Sequence, residues 1–109
     1  MYVRENSWIA LLAAKKLKVK KVAIVVGRTI HLYNTTYSQF ISNKNWVSHE
    51  LKHVAQYEQL GTLSFIYKYL IESIRNGYYN NKLEVEARMA ENDWKLLEKY
   101  ELVSYKKTN

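Results

Sequence analysis

Apolar residues recur along the chain in two rhythms, one for each half. In the first half, Val19 to Val26 is a short β-branched run. Gly27-Arg28 interrupts it, and Thr29 to Tyr33 alternates again, which predicts strand, tight turn, strand. Ahead of this hairpin, Ser7 is placed to cap a short helix. Trp8, Ile9, Leu11 and Leu12 lead it towards lysines near Lys16, where cations suit the negative end of the helix dipole. Asn34-Thr35-Thr36 closes the hairpin, and Tyr37 to Lys44 fits no single period. The second half is helical in rhythm. Val47, Leu51, Val54 and Ala55 share one face of a helix from about Trp46 to Leu60, with Asn43 or Asn45 as its cap and Gly61 as its stop. Thr62 opens a second helix to about Arg75, with the face Leu63, Ile66, Tyr67, Leu70 and Ile74, and Gly77 ends it. Asn80 or Asn81 opens a third helix to about Tyr100. There Leu83, Ala87, Ala90, Trp94 and Leu97 recur at spacings of four and three. Ser104 to Asn109 reads as a frayed end. The predicted fold class is α+β: an N-terminal helix and a short β-hairpin, followed by three helices.

The length of 109 residues predicts a single domain over 1–109, with one modest core and little room for two lobes around a cleft. Ten tyrosines and three tryptophans imply a core whose polar tips reach outward. With no cysteine, disulfides and a thiolate metal site are excluded. No stretch approaches the roughly 18–20 apolar residues of a spanning helix. Met1 to Ala14 lacks a basic region ahead of a long apolar one, which argues against a signal peptide and points to the cytoplasm. The net charge of +7 is concentrated in Lys15, Lys16, Lys18, Lys20, Lys21 and Arg28, with no acid between them. Such a patch can meet nucleic acid or an anionic membrane surface, but it is more often a solvated face. No base-stacking or recognition-helix pattern accompanies it, so both partners rank behind a peptide or protein substrate.

The chemistry lies in His49-Glu50-Leu51-Lys52-His53. Positions i and i+4 share a helical face, so His49 and His53 can aim both imidazoles at one ion. Zinc accepts two such nitrogens, takes a third protein ligand, and keeps a fourth position for water. Glu50 sits one residue round and can take that water's proton as general base while zinc polarises a carbonyl. That division of labour is why the H-E-x-x-H spacing points to zinc (Zn2+) and to hydrolysis. The third ligand must come from elsewhere. His31 is the one remaining histidine, and Glu58, Glu72, Glu84, Glu86 and Glu91 are the downstream acids. Helical angle slightly favours Glu86, nearer the centre of the Leu83/Ala87/Ala90/Trp94 face. The plainer readings are that Glu84 completes a capping box with Asn81 and that Glu86 is a solvated first-turn acid.

The segment His49 to Asn92 resembles the catalytic core of gluzincin metallopeptidases. Several branches of that clan write their third ligand as E-x-x-A, which Glu84-Val85-Glu86-Ala87 matches with Glu84 as ligand and Glu86 as the alternative. The overall plan resembles the minigluzincins, chains of similar size built on a short sheet and three helices. His49 to Gln56 is also similar to the H-E-L-x-H-V-x-Q of small bacterial domains. The resemblance implies a zinc-dependent metallopeptidase whose ligands are His49, His53 and Glu84. It also implies a tyrosine or histidine that stabilises the oxyanion, for which Tyr78, Tyr79 and His31 are candidates. Substrate would add a strand along the sheet edge, expected at Thr29, Ile30, His31, Leu32 and Tyr33. Many relatives carry an aspartate just after the alanine of E-x-x-A, where it can orient a histidine. This chain has Arg88 there, leaving Glu91, Asn92 or Asp93 as substitutes. The alternative to an enzyme is a latent or weakly catalytic zinc-binding domain, acting as a scaffold or zymogen-like protein.

Overall fold

A computed structural model describes residues 1–105. The α+β class holds, with a mixed four-stranded sheet on which helices pack. In chain order the elements are β1 (Tyr2–Arg4), α1 (Trp8–Leu17), β2 (Val22–Val26), β3 (Thr29–Tyr33), α2 (Tyr37–Ser42), α3 (Lys44–Leu60), α4 (Thr62–Asn80), α5 (Lys82–Met89), a 3₁₀ turn (Ala90–Asn92), α6 (Lys95–Lys99) and β4 (Val103–Ser104). Among the described residues, no helix is long and apolar enough to cross a membrane.

The predicted hairpin forms as an antiparallel β2–β3 pair, with Ile24 opposite His31. Two short strands complete the sheet in the order β2-β3-β1-β4, and β1 runs parallel to both β3 and β4. Three-residue Tyr2–Arg4 and two-residue Val103–Ser104 are too short to show a period, so the sequence pattern does not reveal them. Ser104, expected in a frayed end, instead pairs with Val3, while Lys106 to Asn109 lie outside the described residues. The addition of β1 also corrects the edge assignment. Thr29–Tyr33 is an interior strand, and β2 is the open edge beside it.

Caps set most helix boundaries. Ser7 Oγ accepts from Ile9 N at the start of α1. Thr36 and Gln39 form a reciprocal capping box that creates α2 from the segment of ambiguous period. Asn43 Oδ1 accepts from Trp46 N and starts α3. Gly61, at φ 83°, ends α3 and starts α4, where any side chain would be strained. The expected break at Gly77 is present, at φ 78° and ψ 168°, and one further turn follows before Asn81. The third helix is shorter than predicted. It tightens into the 3₁₀ turn after Met89, and Asp93 Oδ1 accepts from Lys95 N, so a local side-chain bond replaces helical continuation to Tyr100.

The core is formed by Val3, Val25, Ile30, Leu32, Phe40, Val47, Leu51, Val54, Tyr57, Phe65 and Leu83. It clamps α3 between the sheet and α5, which gives the H-E-x-x-H helix a fixed orientation. Leu51, within the motif and fully buried, would cost about 2–5 kcal/mol on truncation to alanine. The face predicted for α4 is overturned. Phe65 is its buried residue and Tyr69 is half-buried, whereas Leu63, Tyr67, Leu70 and Ile74 face outward.

His31 is buried in the sheet, with Nδ1 2.8 Å from Ser7 Oγ. Burial, and then the charge of Arg4, hold its pKa below the ordinary value of 6.5, so the folded state keeps the ring neutral. The contribution of His31 to stability is therefore complete above pH 6.5 and lost as pH falls towards the lower folded-state pKa. In urea titrations, the stability advantage of wild type over His31→Asn should shrink between neutral pH and about pH 5. An advantage that grows on acidification would show that the folded state prefers the charged ring.

Candidate metal centre

His49 and His53 lie one turn apart on α3, with ring centroids 5.2 Å apart. Glu84 arrives from the first turn of α5. Its Oε1 stands 3.1 Å from His49 Nε2 and 3.1 Å from His53 Nε2. Glu84 does not cap its own helix. Asn81 caps α5 by accepting from Leu83 N, and the Glu84 carboxylate is turned across to α3 instead.

The two imidazoles and the carboxylate are each held from behind. His49 Nδ1 donates to Glu91 Oε2 at 2.7 Å, and His53 Nδ1 donates to Gln56 Oε1 at 2.9 Å. The Gln56 amide is oriented by donating to Leu83 O and to Glu86 Oε1. With both Nδ1 atoms engaged as donors, both Nε2 atoms are free to face a cation. The Tyr69 hydroxyl donates to Glu84 Oε2 at 2.6 Å, leaving Oε1 for the histidines.

This donor set fits zinc. Two imidazole nitrogens and one carboxylate oxygen are ligands that zinc prefers, and their atoms all lie within 4.8 Å of one another. Ligand atoms at zinc's ordinary bond lengths of about 2.0–2.1 Å in a tetrahedron stand roughly 3.3 Å apart, close to the two 3.1 Å separations here. The two rings share one buried carboxylate. Burial of His49 works against its charge, but Glu84, Glu50 and Glu91 outweigh this and lift its pKa to about 9. His53 is raised in the same way, against its burial, first by the hydrogen bond to Glu84. Glu84 is held well below the usual carboxylate range, because the bonds from both histidines overcome its burial.

Glu50 is buried and lines the cleft beside His49, His53 and Glu84. Burial pushes its pKa up to about 7, against the pull of His53 and His49. A carboxyl poised there can accept and return a proton near neutrality. The cleft has a volume of about 230 Å³. All five residues of β2 line it, together with Ala13 and Leu17 of α1 and Ile66 and Leu70 of α4.

The other candidates separate cleanly. Tyr78 lines the cleft, and burial followed by the Glu84 charge lifts its pKa to about 12, so it remains a hydrogen-bond donor. Tyr79 is exposed and stacks under the Arg88 guanidinium, 4.0 Å from its ring centroid. His31 is bound to Ser7 within the sheet and does not line the cleft. Glu86 supports Gln56, and Glu91 takes the supporting position left open by Arg88. Two residues acquire roles that sequence reasoning did not assign. Gln56 was legible in principle, three residues after His53 on one helical face. Tyr69 was not, since nothing local distinguishes it among ten tyrosines.

Comparison with protein-family models, curated proteins and solved structures gave no significant match, so the site is interpreted from its own residues.

The loss of Glu91 should be felt through His49. Glu91→Ala should weaken zinc affinity by about 10–100-fold in chelator competition, while Asp93→Asn leaves it unchanged. Equal affinities for wild type and Glu91→Ala would show that the 2.7 Å contact does not orient the ring. Asn81 is fully buried and bonds Tyr69 O, Ser73 Oγ and Leu83 N. Asn81→Ala removes a cap and strands buried partners, so it should cost about 2–4 kcal/mol in denaturant unfolding. A loss below about 1 kcal/mol would mean that the turn bearing Glu84 does not depend on this side chain.

Proposed function

We propose that the chain is a zinc-dependent peptidase of minimal zincin-like design, with His49, His53 and Glu84 as metal ligands and Glu50 as general base. The observation that carries this reading is the pair of Nε2 atoms converging on Glu84 Oε1, with both Nδ1 atoms engaged on the far side. A bound zinc ion would supply a Lewis acid that lowers the pKa of water and polarises a carbonyl. Glu50 takes the proton from the attacking water and delivers it to the departing amine. Tyr78, protonated at neutral pH and facing the cleft, is placed to donate to the developing oxyanion. Tyr69 is committed to Glu84 and holds that ligand.

Peptide enters along β2, the open edge whose whole length lines the cleft. Its main chain would add as a further strand, fixing the scissile bond against the metal centre. A latent zinc-binding domain is the second reading, favoured by the small size of the cleft, about 230 Å³ on a single lobe. Activity separates the two.

With zinc supplied and a mixed peptide library as substrate, wild type should cleave. Glu50→Gln should retain its zinc and lose activity by about 10²–10⁴-fold. Tyr78→Phe should lose about 10²–10³-fold in kcat with unchanged zinc content. Zinc-loaded wild type that cleaves nothing in the library would favour the latent domain. Undiminished cleavage by Glu50→Gln would remove Glu50 as the base.

A further inference from the structure

Helix α4 carries more apolar surface than the fold covers. Phe65 and Tyr69 turn inward, but Leu63 and Ile74 are 83% and 80% exposed, Tyr67 70% and Leu70 56%. At the helical repeat these four residues occupy one sector roughly 60° wide and roughly 16 Å long. Ile66 and Ile71 border it on either side. A contiguous exposed patch of this kind marks an interaction surface.

The charges around the sector identify what covers it. Lys68 and Arg75 lie together beyond one edge of it, past Ile71 and away from Ile66, both exposed. Glu72, the single acid of α4, is engaged through Oε1 by Lys82 N and Asn76 Nδ2. The spacing Leu63, Tyr67, Leu70, Ile74 would suit a helix-pair seam with a second copy. Such a pair would bring together two chains that each carry +7. An anionic facing surface is the better complement to these charges.

The same polarity continues across the cleft mouth. Ile66 and Leu70 line the cleft from α4, and Leu17 and Val22 line it from α1 and β2. Between Leu17 and Val22 lie exposed Lys18 and Lys20. The α1–β2 rim thus combines apolar side chains with lysines, whose long stems can extend to charged headgroups, while α4 carries its cations on the side away from the cleft. These cations are spread over the surface, with no pocket to fit one acidic side chain. That arrangement suits a plane carrying many negative charges more than a single acidic protein segment.

We propose that α4 and the lysine-bearing connection from α1 to β2 dock the protein on anionic lipid bilayers. The Leu63/Tyr67/Leu70/Ile74 sector enters the headgroup region, and Lys68, Arg75, Lys18 and Lys20 meet lipid phosphates and carboxylates. The cleft then opens at the membrane surface. Docking is independent of the metal and of any hydrolysis.

Co-sedimentation of the full chain with phosphatidylcholine vesicles, with and without phosphatidylserine, tests this. Wild type should pellet with the phosphatidylserine vesicles and be released by salt. Leu63→Ser/Ile74→Ser, both changes at exposed positions, should keep the wild-type melting temperature and lose binding by about tenfold or more. Lys68→Glu/Arg75→Glu should lose binding to a similar degree. Failure of wild type to bind phosphatidylserine vesicles would overturn the proposal. So would binding that persists in Leu63→Ser/Ile74→Ser, which would assign it to the lysines alone. Concentration-dependent dimerisation of wild type, abolished by that pair of changes and unaccompanied by vesicle binding, would assign the sector to a second copy.

Discussion

A carboxylate placed among apolar residues is unstable there unless it has partners, and Glu84 has three. Its Oε1 is shared by His49 and His53, its Oε2 accepts from Tyr69, and the turn that carries it is held by Asn81. This constraint organises the helical half of the fold. α3 must present two histidines to one point, α5 must begin opposite them, and α4 must deliver Tyr69 from the far side. Asn81 ties these demands together, because one side chain both caps α5 and bonds the main chain of Tyr69. Removing a partner from such a cluster leaves charge buried without compensation, which costs far more than an exposed ion pair is worth. The buried carboxylate is balanced by histidines whose pKa values are raised. A divalent cation bound among these three side chains would replace those protons.

The sheet contributes at a distance. Its hydrophobic contact with α3 fixes the motif helix, and β2 supplies the cleft with an open edge. β1 and β4 are short, but they determine which strand is the edge. The fold therefore separates two jobs. Polar side chains set the geometry of the His49/His53/Glu84 cluster between helices, while main-chain pairing within the sheet leaves one line of backbone groups available.

Features set by local chemistry were legible in the sequence. The H-E-x-x-H helix, the hairpin, Ser7 and Asn81 as caps, and the breaks at Gly61 and Gly77 all follow from spacing, capping or backbone freedom. Features settled by tertiary competition were not. The α4 face was misassigned because Leu63, Tyr67, Leu70 and Ile74 make the stronger apolar stripe, yet Phe65 and Tyr69 face the core. The third helix stopped early because Asp93 bonds Lys95 N, a choice that periodicity does not register. At the site, helical angle favoured Glu86 and the resemblance favoured Glu84. The structure brings Glu84 to both histidines and occupies Glu86 with Gln56, a pairing set by the approach of α5 to α3.

The central claim is that His49, His53 and Glu84 form one metal site. It is tested most directly by the zinc content of protein stripped with chelator, reloaded and dialysed, for wild type beside Glu84→Ala, Glu86→Ala and His53→Ala. The account predicts about one zinc per wild-type chain, retention in Glu86→Ala, and loss in both Glu84→Ala and His53→Ala. A wild-type chain that takes up no zinc, or loss confined to Glu86→Ala, would contradict it.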